Sequence, residues 1–396
     1  MSGAGIFMHR QFKALQELGA KITVVVPVED HPPFPLSILH ADWSQAQKMN
    51  YPAEREYDTV LVLHPRISNP KPGKIFRKNY EQRFIDDLAR YFTDKKLITT
   101  PNKTIFFAQW MPSAYKVTKL AKRLNVKTAT MLIGDDVNVW PFASDTNKQQ
   151  FVEGWRSTDL RLSVANYLAE QANKIVGDAL PYHSIYRGTD TSIFKPVGAI
   201  EKQALRSKLG FNTETPLILC IGTAIVAKGW LNLLEALKDI AAQGIAFKLV
   251  CIYSGENNIN IIEEATTRNA NEYIIDIGEV PSKDIAQYMQ AADVFCLPSH
   301  REGIANAVVE AMACGLPVVT TNICGHPELV ANEEIGLLIP MQNIEALTDK
   351  IKILLKDKNL RASIGANAAN YIKNVWGNTL TNNRKLLDLF ERLCSD

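Results

Sequence analysis

The chain has 396 residues, which is enough for two domains of ordinary size, and its 46% apolar and 22% charged residues are typical of a globular protein. No apolar run approaches the length of a membrane span, and the first residues lack a signal-peptide layout, which argues against an integral membrane protein. The six cysteines show no paired spacing, so we predict reduced thiols and a cytoplasmic location.

Charge is divided unevenly between the two halves of the chain. Residues 1–196 hold 26 Lys and Arg against 19 Asp and Glu, whereas residues 197–396 hold 18 against 23. The first half includes a basic cluster of Lys71, Lys74, Arg77 and Lys78. One interpretation is an ordinary solvated surface. The other is a patch that attracts anionic lipid head groups or a phosphorylated acceptor, which predicts peripheral contact with the inner face of a membrane. We expect no nucleic-acid partner.

The chain opens with glycines, Gly3 and Gly5, followed by a helical pattern at 7–18 and a strand pattern at 21–27. In a Rossmann domain the glycine-rich turn follows the first strand, but here no strand precedes the glycines. We therefore expect the first domain to lack its first strand, which would leave two rows of backbone groups without partners. A flexible terminus is the alternative interpretation of the glycines.

Strands and helices alternate through the rest of the first half, after an irregular segment at 31–55. Strand patterns lie at 59–65, 104–108, 127–132 and 161–165, and helical patterns at 80–92, 114–123 and 166–174. This alternation predicts a parallel sheet built from βαβ units. Asp136 lies in a turn after the third of these strands, where open α/β folds bind ligands. It either caps the turn or contacts a substrate.

The second half repeats the alternation. Strand patterns lie at 217–222, 247–253, 273–277 and 294–297, and the chain closes with helical patterns at 347–355, 361–375 and 376–393. Lys228 follows the first of these strands, just after Gly222. A lone lysine before a helix is either a surface charge or a phosphate contact, and both interpretations stay open at this point.

The stretch from His300 to Glu310 lies between an apolar strand and a segment of helix-forming residues that ends at Gly315 and Pro317. We predict that Glu302 and Gly303 open this helix. Backbone N–H groups at a helix N-terminus lack internal partners and carry positive partial charge, which suits a phosphate, and glycine allows close approach.

Glu310 lies eight residues after Glu302, which in a helix places it about 12 Å further along a similar face. Two acceptors would then flank an anion site. A nucleotide sugar has this layout, with hydroxyls on the sugar, a diphosphate in the middle and hydroxyls on the ribose. The alternative is that both glutamates are solvated helix residues.

The residues that follow carry a family resemblance. Ala311 to Thr321, Gly325 to Val330 and Gly336 to Pro340 resemble glycosyltransferase family 4. The resemblance implies an α/β protein of the GT-B fold, with two Rossmann-like domains facing a cleft. It further implies retaining, metal-independent transfer, without a cofactor, from a nucleotide sugar such as a UDP- or GDP-sugar to a glycan or lipid-linked acceptor in polysaccharide biosynthesis. No Asp-x-Asp motif is present to clamp a metal.

The same resemblance assigns candidate roles. Glu302, Lys228 and Asp136 are the predicted catalytic residues; Glu302 would contact the donor sugar, Lys228 the diphosphate and Glu310 the ribose. The other predicted donor-binding residues are Gly3, Gly222, Thr223, Val280, Arg301, Gly303, Ile304, Ala305 and Asn306. Segments resembling the family's linker put the domain boundary near residue 196, giving an acceptor domain at 1–196, a donor domain at 197–375, and a last helix that packs back on the first domain.

Two positions depart from the family pattern. Thr223 stands where the family has a phosphate-binding arginine, and Ile133 where it has a histidine that touches the donor sugar. Arg301 is a candidate replacement for the missing cation. We consider two hypotheses: an active sugar transferase, favoured by Glu302, Glu310, Lys228 and Gly303, and a degenerate homologue that binds a nucleotide or glycan without turnover, favoured by the two departures and the missing strand.

Overall fold

The computed structural model describes residues 3–30, 52–68, 80–253 and 258–395. All of the candidate site residues lie within these ranges. The basic cluster of Lys71 to Lys78 and most of the predicted irregular segment at 31–55 lie outside them.

The first half contains six helices and nine strands in the described ranges. The helices are α1 (Gly3–Glu17), α2 (Tyr80–Asp94), α3 (Met111–Leu124), α4 (Asp135–Asn138), α5 (Asp145–Ser157) and α6 (Asn166–Val176). The strands are β1 (Thr23–Val25), β2 (Val28–Asp30), β3 (Glu54–Tyr57), β4 (Val60–Leu63), β5 (Arg66–Ser68), β6 (Ile105–Ala108), β7 (Lys127–Leu132), β8 (Leu160–Ser163) and β9 (His183–Ser184).

The described strands of the first half form three separate sheets. Their orders are β3-β4-β1, β2-β5 and β6-β7-β8-β9, and all pairs are parallel except β3 with β4. Within the described ranges, β1 pairs only with β4 and β6 only with β7. Helix α3 packs on β6 and β7 of the four-stranded sheet, and α5 packs on α3 and α6, so that Met111, Phe151 and Trp155 are fully buried.

The second half is a single six-stranded parallel sheet with helices on its faces. Its strands are β10 (Leu217–Ile221), β11 (Lys248–Ile252), β12 (Ile274–Gly278), β13 (Val294–Leu297), β14 (Val318–Thr321) and β15 (Leu337–Ile339). The helices are α7 (Ala199–Lys208), α8 (Trp230–Ala242), α9 (Ile261–Thr267), α10 (Ile285–Ala291), α11 (Asn306–Ala313), α12 (His326–Leu329), α13 (Ile344–Lys356) and α14 (Lys358–Tyr371).

The strand order of this sheet is β12-β11-β10-β13-β14-β15. This is the 3-2-1-4-5-6 order of a Rossmann fold, in which the topology reverses between the first and fourth strands. The strands are nearly continuous apolar runs because helices cover both faces; all four residues of β13 are buried. Ligands bind such sheets outside the carboxyl ends of the two strands at the reversal, here β10 and β13.

The last helix, α15 (Thr379–Ser395), returns to the first half of the chain. Phe390 packs against Phe107 with ring centroids 5.2 Å apart, and Trp376, just before the helix, donates its indole N–H to the carbonyl oxygen of Arg187 at 3.0 Å. Asn378 and Thr189 form an isolated parallel bridge. We call the segment 185–189 together with the start of α15 the hinge.

The observed elements support two Rossmann-like units. The predicted domain boundary near residue 196 falls between β9 and β10 and stays a prediction. All six cysteines are free, and four of them are buried. No helix in the described part of the chain is long and apolar enough to cross a bilayer.

Candidate active site

Two loops leave the sheet at the reversal between β10 and β13. Gly229, in the first loop, has a φ of +72°, and a Cβ there would overlap the carbonyl oxygen of Pro298 in the second, so the two loops pack closely. The Lys228 ammonium lies 2.5 Å from Glu302 Oε1, and the Ser299 hydroxyl donates to the same oxygen at 2.9 Å. The structure therefore brings two predicted catalytic residues together at the expected edge of the sheet.

The helix behind these loops begins later than the sequence predicts. Its first residue is Asn306 and Ala305 is the extended N-cap, so the prediction that Glu302 and Gly303 open the helix is wrong. The reason is tertiary: the Gly303 carbonyl accepts the Gly325 N–H at 3.1 Å, and its backbone packs against Ile133 of the first half. Glu302 and Glu310 are therefore not eight helical residues apart, and the 12 Å estimate does not apply.

The N-terminus of α11 nevertheless offers backbone donors. Ala305 provides no side-chain cap, and its carbonyl accepts the N–H groups of Val308 and Val309. The N–H groups of Asn306 and Ala307 have no helical acceptor, as in the first turn of any helix. Ile304 and Ala305 are buried beneath this turn. Their amides and that of Asn306 thus adjoin the Lys228 and Glu302 loops.

Glu310 is buried on α11 and faces the first half of the chain. Its carboxylate accepts a hydrogen bond from Arg10 Nη1 of α1 at 2.9 Å, while Arg10 Nη2 donates to Ser282 Oγ at 3.1 Å. Burial raises the pKa of Glu310, and the Arg10 charge opposes that rise. Arg10 was missed by sequence reasoning, because no local pattern links residues 300 positions apart.

The two halves touch around Gly303. A Cβ at Gly303 would overlap the carbonyl oxygen of Ile133, and Asn138 Nδ2 donates to the carbonyl oxygen of Glu302 at 3.3 Å. Arg301, the predicted replacement cation, donates from Nε to Asp135 Oδ1 at 2.7 Å across the same contact. Both side chains of that pair are exposed, so it adds little stability.

The other predicted donor-binding residues surround this centre at varying distance. Gly222 leads out of β10, and Thr223 accepts the indole N–H of Trp230 at its backbone carbonyl, 2.9 Å away. Val280 follows β12 and is partly buried, whereas Gly3 is the first residue of α1. Among the described residues, no group of three or more His, Cys, Asp or Glu is arranged to hold a metal.

Asp136 lies beneath the cleft rather than in it. Its side chain is fully buried, and its carboxylate accepts the backbone N–H groups of Gly134 at 2.7 Å, Ile133 at 3.1 Å and Met111 at 3.4 Å. These bonds hold the turn that meets Gly303. We therefore propose that Asp136 positions this turn, which is closer to the capping alternative than to direct substrate contact.

Asp136 should also make the stability depend on pH. Burial raises its pKa from 3.8 to about 6, although backbone N–H donors oppose the rise. Between these two pKa values the Asp136 carboxyl group is protonated in the folded protein and ionised in the unfolded chain. The unfolding free energy should therefore fall as the pH rises from about 4 to about 6, by at most about 3 kcal/mol.

The variant Asp136→Asn cannot titrate at this position. We expect the unfolding free energy of the wild type, relative to that of the variant, to decrease between pH 4 and pH 7. Denaturant titrations of both proteins across this range measure the difference. A difference that is constant with pH would contradict the raised pKa.

Glu328 ties the second half to a helix of the first. It accepts the backbone N–H groups of Asn166 and Tyr167, the first two residues of α6, at 2.9 and 2.8 Å, and the Tyr186 hydroxyl at 3.0 Å. The N-cap of α6 is Ala165, which has no side-chain acceptor. Glu328, which is distant in the sequence, thus caps the N-terminus of α6. Sequence reasoning also missed this contact.

Replacing Glu328 by alanine should lower the unfolding free energy by about 1 to 3 kcal/mol, because it leaves two N–H groups and a tyrosine hydroxyl without their acceptor. The matched control is Glu333→Ala, which removes an exposed glutamate paired only with Lys350 among the described residues and should cost less than about 1 kcal/mol. Denaturant midpoints compare the two. If both variants lost the same unfolding free energy, the hydrogen bonds of Glu328 to α6 and Tyr186 would contribute no more than an exposed ion pair does.

Comparisons with known proteins agree with this geometry. Residues 201–371 match the family described as glycosyl transferases group 1. A putative teichuronic acid biosynthesis glycosyltransferase, TuaC of Bacillus subtilis strain 168, is 25% identical over 355 residues, covering 88% of this chain and 84% of that protein.

Two solved structures share the fold. Sucrose-phosphate synthase from Thermosynechococcus elongatus superposes with a TM-score of 0.79 at 19% identity, covering 99% of this chain and 94% of that one. The Anabaena protein HepE, solved in complex with UDP, superposes with a TM-score of 0.71 at 16% identity, covering 94% of this chain and all of that one.

The sheets of the two halves and the loops that follow β10 and β13 have the GT-B fold. The chain carries the glycosyl transferases group 1 domain at residues 201–371, and it is a glycosyltransferase. The fold class and the family resemblance predicted from the sequence are both confirmed.

Proposed function

We propose that this protein transfers a sugar, with retention of configuration, from a nucleotide sugar such as a UDP- or GDP-sugar to a glycan or lipid-linked acceptor during synthesis of a cell-surface polysaccharide. The proposal is carried by one observation. Lys228, Glu302 and the N-terminus of α11 lie close together beyond the carboxyl ends of β10 and β13, where the strand order of the Rossmann sheet reverses. The name of TuaC, which refers to teichuronic acid biosynthesis, supports a glycan acceptor. The complex of HepE with UDP supports a nucleotide-sugar donor.

In this proposal each group acts on a different part of the donor. Lys228 and the free amides of α11 hold the diphosphate, whose negative charge grows as the bond to the sugar breaks. Glu302, which pairs with Lys228 in the absence of donor, turns to the sugar hydroxyls when Lys228 binds phosphate. Glu310 accepts hydrogen bonds from the ribose with the oxygen that Arg10 leaves free. Val280 lies beside the base.

The proton balance needs no protein nucleophile. The acceptor hydroxyl attacks the anomeric carbon from the side of the leaving group, the bond from that carbon to the diphosphate oxygen breaks, and the diphosphate takes the acceptor's proton. The side chains of the site bind, orient and neutralise charge. Glu302 steadies the sugar in this scheme.

We further propose that the reaction takes place in the cytoplasm, with the basic first half against the inner face of the membrane. The charge excess of residues 1–196 and the free cysteines support this location. A lipid-linked acceptor would then be presented at the surface that the first half contacts.

A binding and transfer assay tests the proposed function. A panel of nucleotides and nucleotide sugars is screened by thermal shift, since a ligand at 100 times its dissociation constant stabilises a protein by about 2.7 kcal/mol. The donor found in this way is then incubated with lipid-linked glycans, and release of nucleoside diphosphate is measured. Binding without release for any acceptor would favour the degenerate homologue, and no binding at all would contradict both hypotheses.

A further inference from the structure

Arg10, in the middle of α1, extends from the first half of the chain to two elements of the proposed donor site. Its Nη1 donates to Glu310 Oε1 on α11 at 2.9 Å, and its Nη2 donates to Ser282 Oγ at 3.1 Å. Ser282 lies two residues after Val280, in the loop that follows β12. One guanidinium therefore joins the residue proposed to hold the ribose to the loop proposed to lie beside the base.

A third contact holds the Arg10 side chain against the connection between the two halves. Its guanidinium carbon lies 5.9 Å from the ring centroid of Phe194, which is 1% exposed and lies between β9 and β10. A cation at this distance from an aromatic ring is attracted to it. Arginine also carries five N–H donors in a rigid planar group, so it bonds two acceptors in a fixed geometry, which a lysine ammonium does less well. Arg10 thus suits a role that needs two acceptors held at a set separation.

Arg10 favours the ionised form of Glu310. The Glu310 side chain is 11% exposed, and a buried carboxylate without a positive partner tends to take up a proton. An ionised carboxylate accepts hydrogen bonds at both oxygens, whereas a protonated one donates from one of them. Arg10 occupies Oε1, and no hydrogen bond among the described residues uses Oε2. Arg10 therefore leaves Oε2 as an acceptor for a ribose hydroxyl.

We infer that Arg10 is a positioning residue of the proposed donor site, which orients the Glu310 carboxylate and the loop at 280–282 for the nucleoside of the donor. This role rests on the proposed function, and it adds that the first half takes part in binding the nucleotide. The catalytic residues proposed above act on the sugar and the diphosphate, whereas Arg10 acts on the nucleoside through Glu310 and Ser282. The nucleoside site is then complete only when α1 lies against the second half.

Binding of UDP and GDP to the full chain, measured by isothermal titration, tests this role. Arg10→Met should weaken binding of the nucleotide that the wild type binds by at least about ten-fold, because the Glu310 carboxylate loses its charged partner and the 280–282 loop loses its hydrogen bond. In steady-state transfer the donor KM should rise by the same factor while kcat changes by less than about two-fold, since uniform binding is lost. The matched control is Lys13→Met, which removes a cation of the same helix that pairs with Asp58 at 3.0 Å and should leave the affinity unchanged.

A double-mutant cycle separates positioning from a general loss of structure. In a Glu310→Gln background, Arg10→Met should weaken binding by less than about three-fold, because most of its effect passes through the Glu310 carboxylate. A merely structural role would give the same loss in both backgrounds. Arg10→Lys, which keeps the charge, should recover part of the affinity, and Ser282→Ala should lose about two- to five-fold.

The inferred role of Arg10 is overturned if Arg10→Met binds the nucleotide as tightly as the wild type, or if its loss is equal in both backgrounds. Tighter binding also overturns it, because Arg10 would then compete with the ribose for Glu310. Should Arg10→Met unfold at the assay temperature, wild-type affinity in both Arg10→Lys and Ser282→Ala overturns it instead. These failures leave the proposed function in place, whereas a wild type that binds neither UDP nor GDP contradicts the proposed donor class and this role with it.

Discussion

Replacing Lys228 by methionine should lower kcat for sugar transfer by about 10²- to 10³-fold, the usual loss when one preorganised group that stabilises developing charge is removed. In the described loops that follow β10 and β13, Lys228 supplies the positive charge beside Glu302. Thr223 has no charge, and Arg301 is paired with Asp135. The effect should fall on kcat more than on KM, because charge on the leaving diphosphate increases in the transition state.

The loss must be separated from a loss of folding, because the Glu302 side chain is only 10% exposed and would keep only the Ser299 hydroxyl as a partner, with no positive charge beside it. Thermal unfolding of the variant and activity of Lys228→Arg, which keeps the charge, make this separation. The matched control is Lys238→Met, which removes an exposed lysine that is also paired with a glutamate, Glu235, at 2.8 Å. Turnover by Lys228→Met at the wild-type rate would remove this lysine from the proposed site.

Replacing Gly303 by alanine should reduce kcat/KM by about 10²-fold, the loss expected when a catalytic arrangement is displaced by about 1 Å. The new methyl group would overlap the Ile133 carbonyl oxygen, which is backbone and cannot turn aside as a side chain can. The turn that Asp136 holds and the loop that carries Glu302 must then move apart. The cleft between the two halves would open at the point where the sugar is expected to bind.

The variant Gly198→Ala is the matched control for this change. Gly198 is the N-cap of α7 with a φ of −70°, and a Cβ there would meet no atom within 4 Å. It should be as active as the wild type and less stable by no more than about 1 kcal/mol, because alanine is a poorer N-cap than glycine. Steady-state kinetics and thermal unfolding of both variants check the prediction. Wild-type kcat/KM in Gly303→Ala would show that contact between these two loops is not needed for transfer.

Long apolar runs were the most predictable part of the fold. The strands at 127–132 and 294–297 were predicted with the bounds that the structure has, because buried parallel strands are continuous apolar segments bounded by turn residues. Helices α5 and α7 were not predicted. Both are largely polar at their surfaces and bury only a few side chains, so their hydrophobic period is weak.

The candidate site was predictable where its residues follow a strand directly. Lys228 and Glu302 each lie in a loop that leaves one of the two strands at the reversal, and strand order brings those loops together. The start of α11 was not predictable, because Glu302 and Gly303 have local patterns compatible with a helix. Hydrogen bonding of Gly303 to Gly325 and its packing on Ile133 keep them in the loop instead.

By itself, the amino-acid sequence determined the alternation of strands and helices, the two Rossmann-like units and the loops that carry Lys228 and Glu302, because these follow from periodicity and turn residues over short stretches. Only the tertiary structure decided that Arg10 pairs with Glu310, that Glu328 caps α6 and that Gly303 packs on Ile133. The physical reason is that these contacts join segments far apart in the chain. They depend on how one sheet is placed against the other, and local pattern does not encode that placement.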